Sequence, residues 1–223
     1  MKGLGRSLHY YLEAIFLNAA KTLLMVAVIS FFMIILEGDN YKEAASKIVP
    51  TYLVMFVIIL NFINGINTVG IAVPMTVSLG STRQNSFWGM MVSEHALNVV
   101  LFFVIYICCY FLSGEILTNI LAPFGLTVAG CFLIMIAMGN LIGIVTFRYG
   151  RVKGMITYVI SMLLFIGAVV FFAVSGPFGW LNYADGVVNF INGPYILILG
   201  IAADVFVGCF SYGAVKKSDL QIG

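Results

Sequence analysis

Apolar residues in this chain arrive in long unbroken runs, and the polar residues fall mostly between the runs. A helix needs about 20 mostly apolar residues to cross roughly 30 Å of hydrocarbon, and a backbone in lipid must satisfy its own hydrogen bonds. The runs do not alternate as barrel strands would, so each predicts a spanning helix. About six can be drawn: Ala19 to Leu36, Val49 to Val73, Val92 to Leu112, Leu126 to Phe147, Met155 to Ser175 and Pro194 to Gly213. The expectation is an all-α, polytopic membrane protein forming a single transmembrane domain over residues 1–223.

Two polar–apolar patterns refine this picture. Before the first run, Leu8, Tyr11, Leu12, Ile15, Phe16 and Ala19 follow a helical stripe, with Arg6, His9, Glu13 and Asn18 off it. This predicts an amphipathic interfacial helix over 7–18, or else the polar start of a long first span. Before the last run, "SGPFGWLNYADGVVNFINGP" carries Phe178, Trp180, Tyr183 and Phe190. These predict short membrane-dipping helices with rings at headgroup depth, serving as lipid anchors or as a gate. The third loop, "SGEILTNILAPFG", is a shorter version.

Composition agrees with the pattern. Of 223 residues, 62% are hydrophobic and only 9% charged, and the mean hydropathy is +1.09. That leaves too little polar surface to cover a soluble globule. Charge then orients the chain. Lys2, Arg6, Lys21, Arg83, Arg148, Arg151, Lys153, Lys216 and Lys217 fall on the termini and the second and fourth loops; only Lys42 and Lys47 fall elsewhere. By the positive-inside rule both termini are cytoplasmic, in a multi-pass protein of the plasma membrane. The polar start of the first run and its "LEGDN" ending predict a retained helix rather than a cleaved signal.

A few residues stand out within the runs. Asn61, Asn64 and Asn67 make a polar stripe on the second span, with Gly65, Thr68 and Gly70 nearby. Amides in hydrocarbon need partners, so the stripe is either interhelical glue or the lining of a translocation path. Asp204 in "ILGIAADVFVGC" lies well inside the last span, and is expected either to bond polar groups such as the Asn stripe or to serve substrate passage. Pro74 should break or bend the second helix. Cys108, Cys109, Cys131 and Cys209 sit within spans and read as packing residues.

Enzymatic and nucleotide chemistry find little here. GxxxxGK[ST], HExxH and GxSxG are all missing from the sequence, so no P-loop of its own binds ATP and no metal or cofactor is expected. The neighbours Glu94 and His95, at the mouth of the expected third span, read as interfacial residues paired with Arg83 or a partner. The chain is expected not to be an enzyme, and no nucleic acid partner is expected.

The polar island between the second and third runs is the most ordered connection. In "SLGSTRQNSFWGM", Gly80 permits a sharp turn, Ser81 can cap the next helix, and Arg83, Phe87, Trp88 and Met90 give it a basic point and bulky contacts. An inert loop held at headgroup level by Trp88 is the plain alternative. The whole stretch "VPMTVSLGSTRQNSFWGM" resembles the cytoplasmic segment after the second span of ABC-2-type exporter permeases. The resemblance is to the Gram-positive-like branch, where a small six-span subunit works with a separate ATPase. "GNLIGIVTFRYGRVKG" is similar to that family's fourth-span ending, and "YGAVKKSDL" to its basic C-terminal close.

The resemblance implies the permease subunit of an ATP-binding-cassette exporter for an amphipathic cargo: a peptide, an antimicrobial or a lipid-like compound. ATP and Mg would sit on a partner ATPase. Gly80, Ser81, Arg83, Phe87 and Trp88 would form the coupling element, with Arg83 the charged contact and Phe87 or Trp88 the packed one. Two permease copies, or this chain and a related one, would enclose the path among membrane lipids. Gly65, Gly70, Gly139 and Gly143 offer contact faces between copies. The alternative is the substrate-binding membrane subunit of a vitamin-type importer, or another six-span membrane protein without ATP coupling.

Overall fold

A computed structural model describes residues 2–36, 41–78, 80–113, 122–175 and 194–217. Every element among them is helical. In chain order they are α1 (Lys2–Leu36), α2 (Tyr41–Asn67), a π-helical segment (Thr68–Ala72), α3 (Val73–Ser78), α4 (Arg83–Ser113), α5 (Ala122–Tyr149), α6 (Arg151–Ser175) and α7 (Tyr195–Lys217). Five helices are long and apolar enough to cross a membrane: α1, the continuous α2–π–α3 unit, α4, α5 and α7. The expected fifth span, Met155 to Ser175, falls on α6, which is not among the five and whose side chains from residue 164 onward lie outside the described residues. The aromatic segment holding Phe178, Trp180, Tyr183 and Phe190 also lies outside them, as does most of the third loop.

Of the two readings of the N-terminus, the structure matches the polar start of a long first span and not a separate interfacial helix over 7–18: α1 is one unbroken helix of 35 residues. Nothing breaks it, because Gly3 and Gly5 precede the stripe and no proline follows. Its buried side continues from Tyr11, Ile15 and Ala19 to Val26. At 1.5 Å per residue it extends about 52 Å, well beyond the roughly 30 Å of hydrocarbon.

Proline shapes the end of the second span. Pro74 lacks an N–H and its ring crowds the carbonyl of residue 70. The helix does not stop there; it widens just before the proline into the π turn, where Val73 N–H bonds Thr68 O, and then runs on to Ser78. Placing the extra residue there absorbs the clash without ending the helix.

Glycine sets the packing. α5 lies between α2 and α7 and meets each backbone to backbone. A Cβ on Gly139 would stand 2.4 Å from Phe62 O and 3.0 Å from Gly65 Cα, and one on Gly143 2.9 Å from Val69 Cβ. On its other side, a Cβ on Gly130 would stand 2.6 Å from Ile196 O and one on Gly200 2.7 Å from Gly130 O. Small residues allow this approach, and dispersion and close packing hold helices together in lipid, where no hydrophobic drive exists. The glycines expected to serve contacts between copies are therefore used within one chain.

Outward-facing positions are apolar: Leu24, Phe31, Phe103, Phe111, Met155 and Phe206 are all exposed, as suits side chains solvated by lipid. Ser7 Oγ bonds Ser81 Oγ, and Arg83 and Lys216 line one small cavity. The start of α1, the turn before α4 and the end of α7 thus meet at one end of the molecule, together with the basic residues they carry.

Candidate functional site

The turn at that end is locked from both sides. Gly80 adopts φ +87, its N–H bonds Val77 O at 3.0 Å, and Ser81 N–H bonds Thr76 O at 3.1 Å. This pair of bonds is the Schellman motif, which closes a helix through a left-handed residue that glycine adopts without strain. Two residues later Thr82 caps α4, its Oγ1 accepting from Asn85 N–H at 3.2 Å. The expected cap was Ser81, but its hydroxyl is directed to Ser7 instead.

Nor is there a separate short coupling helix. Arg83 opens a 31-residue helix that continues to Ser113. Of the residues expected to meet a partner, Phe87 is only 4% exposed and packs edge-on against Tyr212 at 5.3 Å, so it serves this chain's own core. Trp88 is 50% exposed, and Gly80 and Gln84 are exposed as well. Arg83, half-buried, lines a cavity of about 160 Å³ with Gln84, Tyr212, Val215 and Lys216.

Beneath the turn lies a hydroxyl cluster that the apolar stripe of α1 concealed. Tyr11 Oη bonds Ser86 Oγ at 2.8 Å and Thr76 Oγ1 at 3.1 Å, and Thr76 and Ser86 also bond each other. Tyr11 thereby ties α1 to the helix on either side of the turn. Tyr11→Phe should destabilise the protein by about 1 kcal/mol, because Thr76 and Ser86 keep their mutual bond. Thermal unfolding in detergent measures this, and an unchanged midpoint would show the phenol contributes only its ring.

A second polar group is centred deeper on α4. Three neighbouring residues each reach a different helix. Glu94 Oε2 accepts from Asn140 Nδ2 of α5 at 3.0 Å; His95 Nε2 meets Asp204 Oδ2 of α7 at 2.8 Å; Asn98 Oδ1 accepts from Asn61 Nδ2 of α2 at 2.6 Å. His95 Nδ1 stands 2.8 Å from Met91 O, and since a carbonyl only accepts, that nitrogen carries a hydrogen. Nε2 then either donates to a carboxylate or accepts from a carboxyl, and the pair is neutral overall in both cases.

These residues share a level. Counting 1.5 Å per residue from the helix ends beside the turn, Glu94, Asn140 and Asp204 lie about 14–20 Å in. A helix-facing polar side chain at that depth is either bonded or functional.

Asp204 thus pairs with His95 rather than with the asparagine stripe. Glu94 and His95 bond Asn140 and Asp204 rather than Arg83, and Glu94 is 2% exposed. The stripe itself divides, with Asn61 and Asn64 buried and Asn67 exposed. Sequence reasoning missed Asn98 and Asn140 and misplaced Glu94 for one reason. The apolar run begins at Val92, which puts Glu94 at the helix mouth, whereas α4 begins nine residues earlier, at Arg83. The available signal was the spacing of Glu94 and Asn98, one helical turn apart on one face.

Beside His95 and Asn98 a cleft of about 340 Å³ opens between α4 and α5, walled by Phe102, Phe103 and Phe132. Among the described residues no cluster of His, Cys, Asp and Glu is arranged to hold a metal. Cys108, Cys131 and Cys209 are free thiols.

Compared with protein-family models, with curated proteins and with solved structures, the chain matches none.

Proposed function

We propose that this chain is the membrane permease subunit of an exporter driven by a separate ATP-binding-cassette ATPase, of the ABC-2 type. It would sit in the plasma membrane with both termini cytoplasmic and act with a second permease copy or a related permease. One observation carries the reading: the exposed Trp88 and half-buried Arg83 stand beside a stiff, doubly capped turn, on the same continuous helix whose next turns tie α2, α5 and α7 together. Force applied at Trp88 reaches Glu94 about 9 Å further along one rigid rod. Without a nucleotide motif in the sequence, any uphill transport needs a partner that binds two membrane conformations differently. The aromatic cleft beside His95 and Asn98 suits an amphipathic cargo, with apolar walls and a polar end.

Co-expression with any cassette ATPase that is encoded beside the gene, followed by detergent extraction and capture through this chain, tests the reading. A cognate ATPase is expected to be retained. The double variant Arg83→Glu, Trp88→Ala should lower that retention roughly tenfold or more while the permease elutes unchanged. Retention of no ATPase by the unaltered chain, or tight binding of a small vitamin by the chain alone, overturns the proposal.

A further inference from the structure

We propose that the cavity between Arg83 and Lys216 binds the phosphate of an anionic phospholipid, whose acyl chains lie along the lipid-facing surfaces of α4 and α7. The site shares Arg83 with the coupling element but needs no ATPase. The starting point is positive charge without a counterpart. Arg83, Gln84, Tyr212, Val215 and Lys216 line about 160 Å³ where α4 begins and α7 ends. Among the described residues, neither cation has an ion pair or a side-chain hydrogen bond, and the first turn of α4 holds no acid. An arginine there also opposes the helix macrodipole, whose positive end is the N-terminus. A bound anion relieves both side chains and the dipole together.

The two cations are placed by the fold. Buried Phe87 packs against Tyr212 at 5.3 Å, and Lys216 Nζ stands 5.9 Å from the centre of the Tyr212 ring, a contact that holds the ammonium over the aromatic face. Arg83 is half-buried and brings a planar fork of donors matched to phosphate oxygens. Lys216 adds a compact point charge.

Level and surroundings identify the source of the anion. α7 has 23 residues, about 34 Å at 1.5 Å each, little more than the thickness of the hydrocarbon. Lys216, next to its last residue, therefore falls among headgroups. Below it on one face of α7, Tyr212, Cys209 and Val205 follow at steps of four, three and four residues; Cys209 is exposed and Val205 is 59% exposed. Below Gln84 on α4, Trp88 and Val92 follow at four-residue steps and are 50% and 52% exposed. A phosphate in the cavity thus stands above two apolar strips that acyl chains can cover, which a soluble anion or an acidic protein side chain would leave unused. Basic pockets between spanning helices are a recurrent seat for anionic headgroups.

The test uses the purified full-length chain in a non-ionic detergent, unfolded thermally with phosphatidylglycerol, phosphatidylcholine or sodium phosphate at equal ionic strength. At a tenfold excess over Kd, phosphatidylglycerol is expected to raise the midpoint by roughly 3–6 °C above the other two, saturating at one lipid per chain. Lys216→Gln should weaken that binding about fivefold. Lys153→Gln, which removes the same charge from an exposed position at the start of α6, should leave it unchanged. Equal midpoints in the two lipids overturn the proposal. So does an equal loss in Lys153→Gln, which would mean diffuse attraction, or the same rise with sodium phosphate, which would mean a site for soluble anions. A lipid response that appears only in Asp219→Asn would assign the cavity to the chain's own tail and overturn it as well. No ATPase takes part, so each outcome leaves the proposed function to its own test.

Discussion

Gly139→Val should be the most damaging single substitution in the membrane bundle, lowering the thermal midpoint in detergent by roughly 5–10 °C or preventing recovery of folded protein. The atoms a Cβ would meet here are Phe62 O at 2.4 Å, Gly65 Cα at 3.0 Å and Ile66 N at 3.2 Å. All belong to backbone, so no rotamer change relieves the clash and α2 must move away from α5. Gly213→Ala serves as the control, because nothing lies within 4 Å of the added carbon, and it should change stability by no more than about 0.5 kcal/mol. If both variants unfold alike, the α2–α5 crossing does not depend on bare backbone contact.

Removing His95 is expected to cost nearly as much. His95→Ala leaves the Asp204 carboxyl inside the bundle without its partner, and breaking a buried pair from one side costs about 3–5 kcal/mol. The reverse variant should be milder. In Asp204→Leu, His95 keeps its bond to Met91 O, and its side chain, 40% exposed against 10% for Asp204, can face the cleft. The double variant His95→Ala, Asp204→Leu should then recover most of what His95→Ala loses, since replacing both members of a buried pair with apolar groups is often neutral. Thermal unfolding of the three proteins checks the order. Equal losses in the two single variants, with no recovery in the double, would mean that the pair contributes as two independent polar groups.

The spanning helices were legible because hydrocarbon thickness and backbone hydrogen bonding leave few other readings of long apolar runs. Their ends were less so. The first three turns of α4, "RQNSFWGMMVS", contain serine, asparagine, glutamine and arginine, which reads as a loop until the Tyr11, Thr76 and Ser86 hydroxyls are seen to satisfy one another. That misplaced start moved Glu94 to the surface. Asp204 was visible as an intramembrane carboxylate, but its partner was not, because partners in a bundle are chosen by helix packing and not by proximity in sequence. The glycines were noticed and assigned to the wrong contact. Spacing shows that a face is small, while only the fold shows whose backbone fills it.

His95 and Asp204 are 109 positions apart, so during biosynthesis His95 enters the bilayer long before its counterpart has left the ribosome. Until α7 is inserted, the nascent bundle carries an imidazole and an acid, Glu94, with only part of their final environment. Completion of the last helix is therefore the step that gives His95 its partner, and a chain interrupted before residue 204 would present cellular quality control with a polar lesion in the membrane rather than a shortened but finished protein.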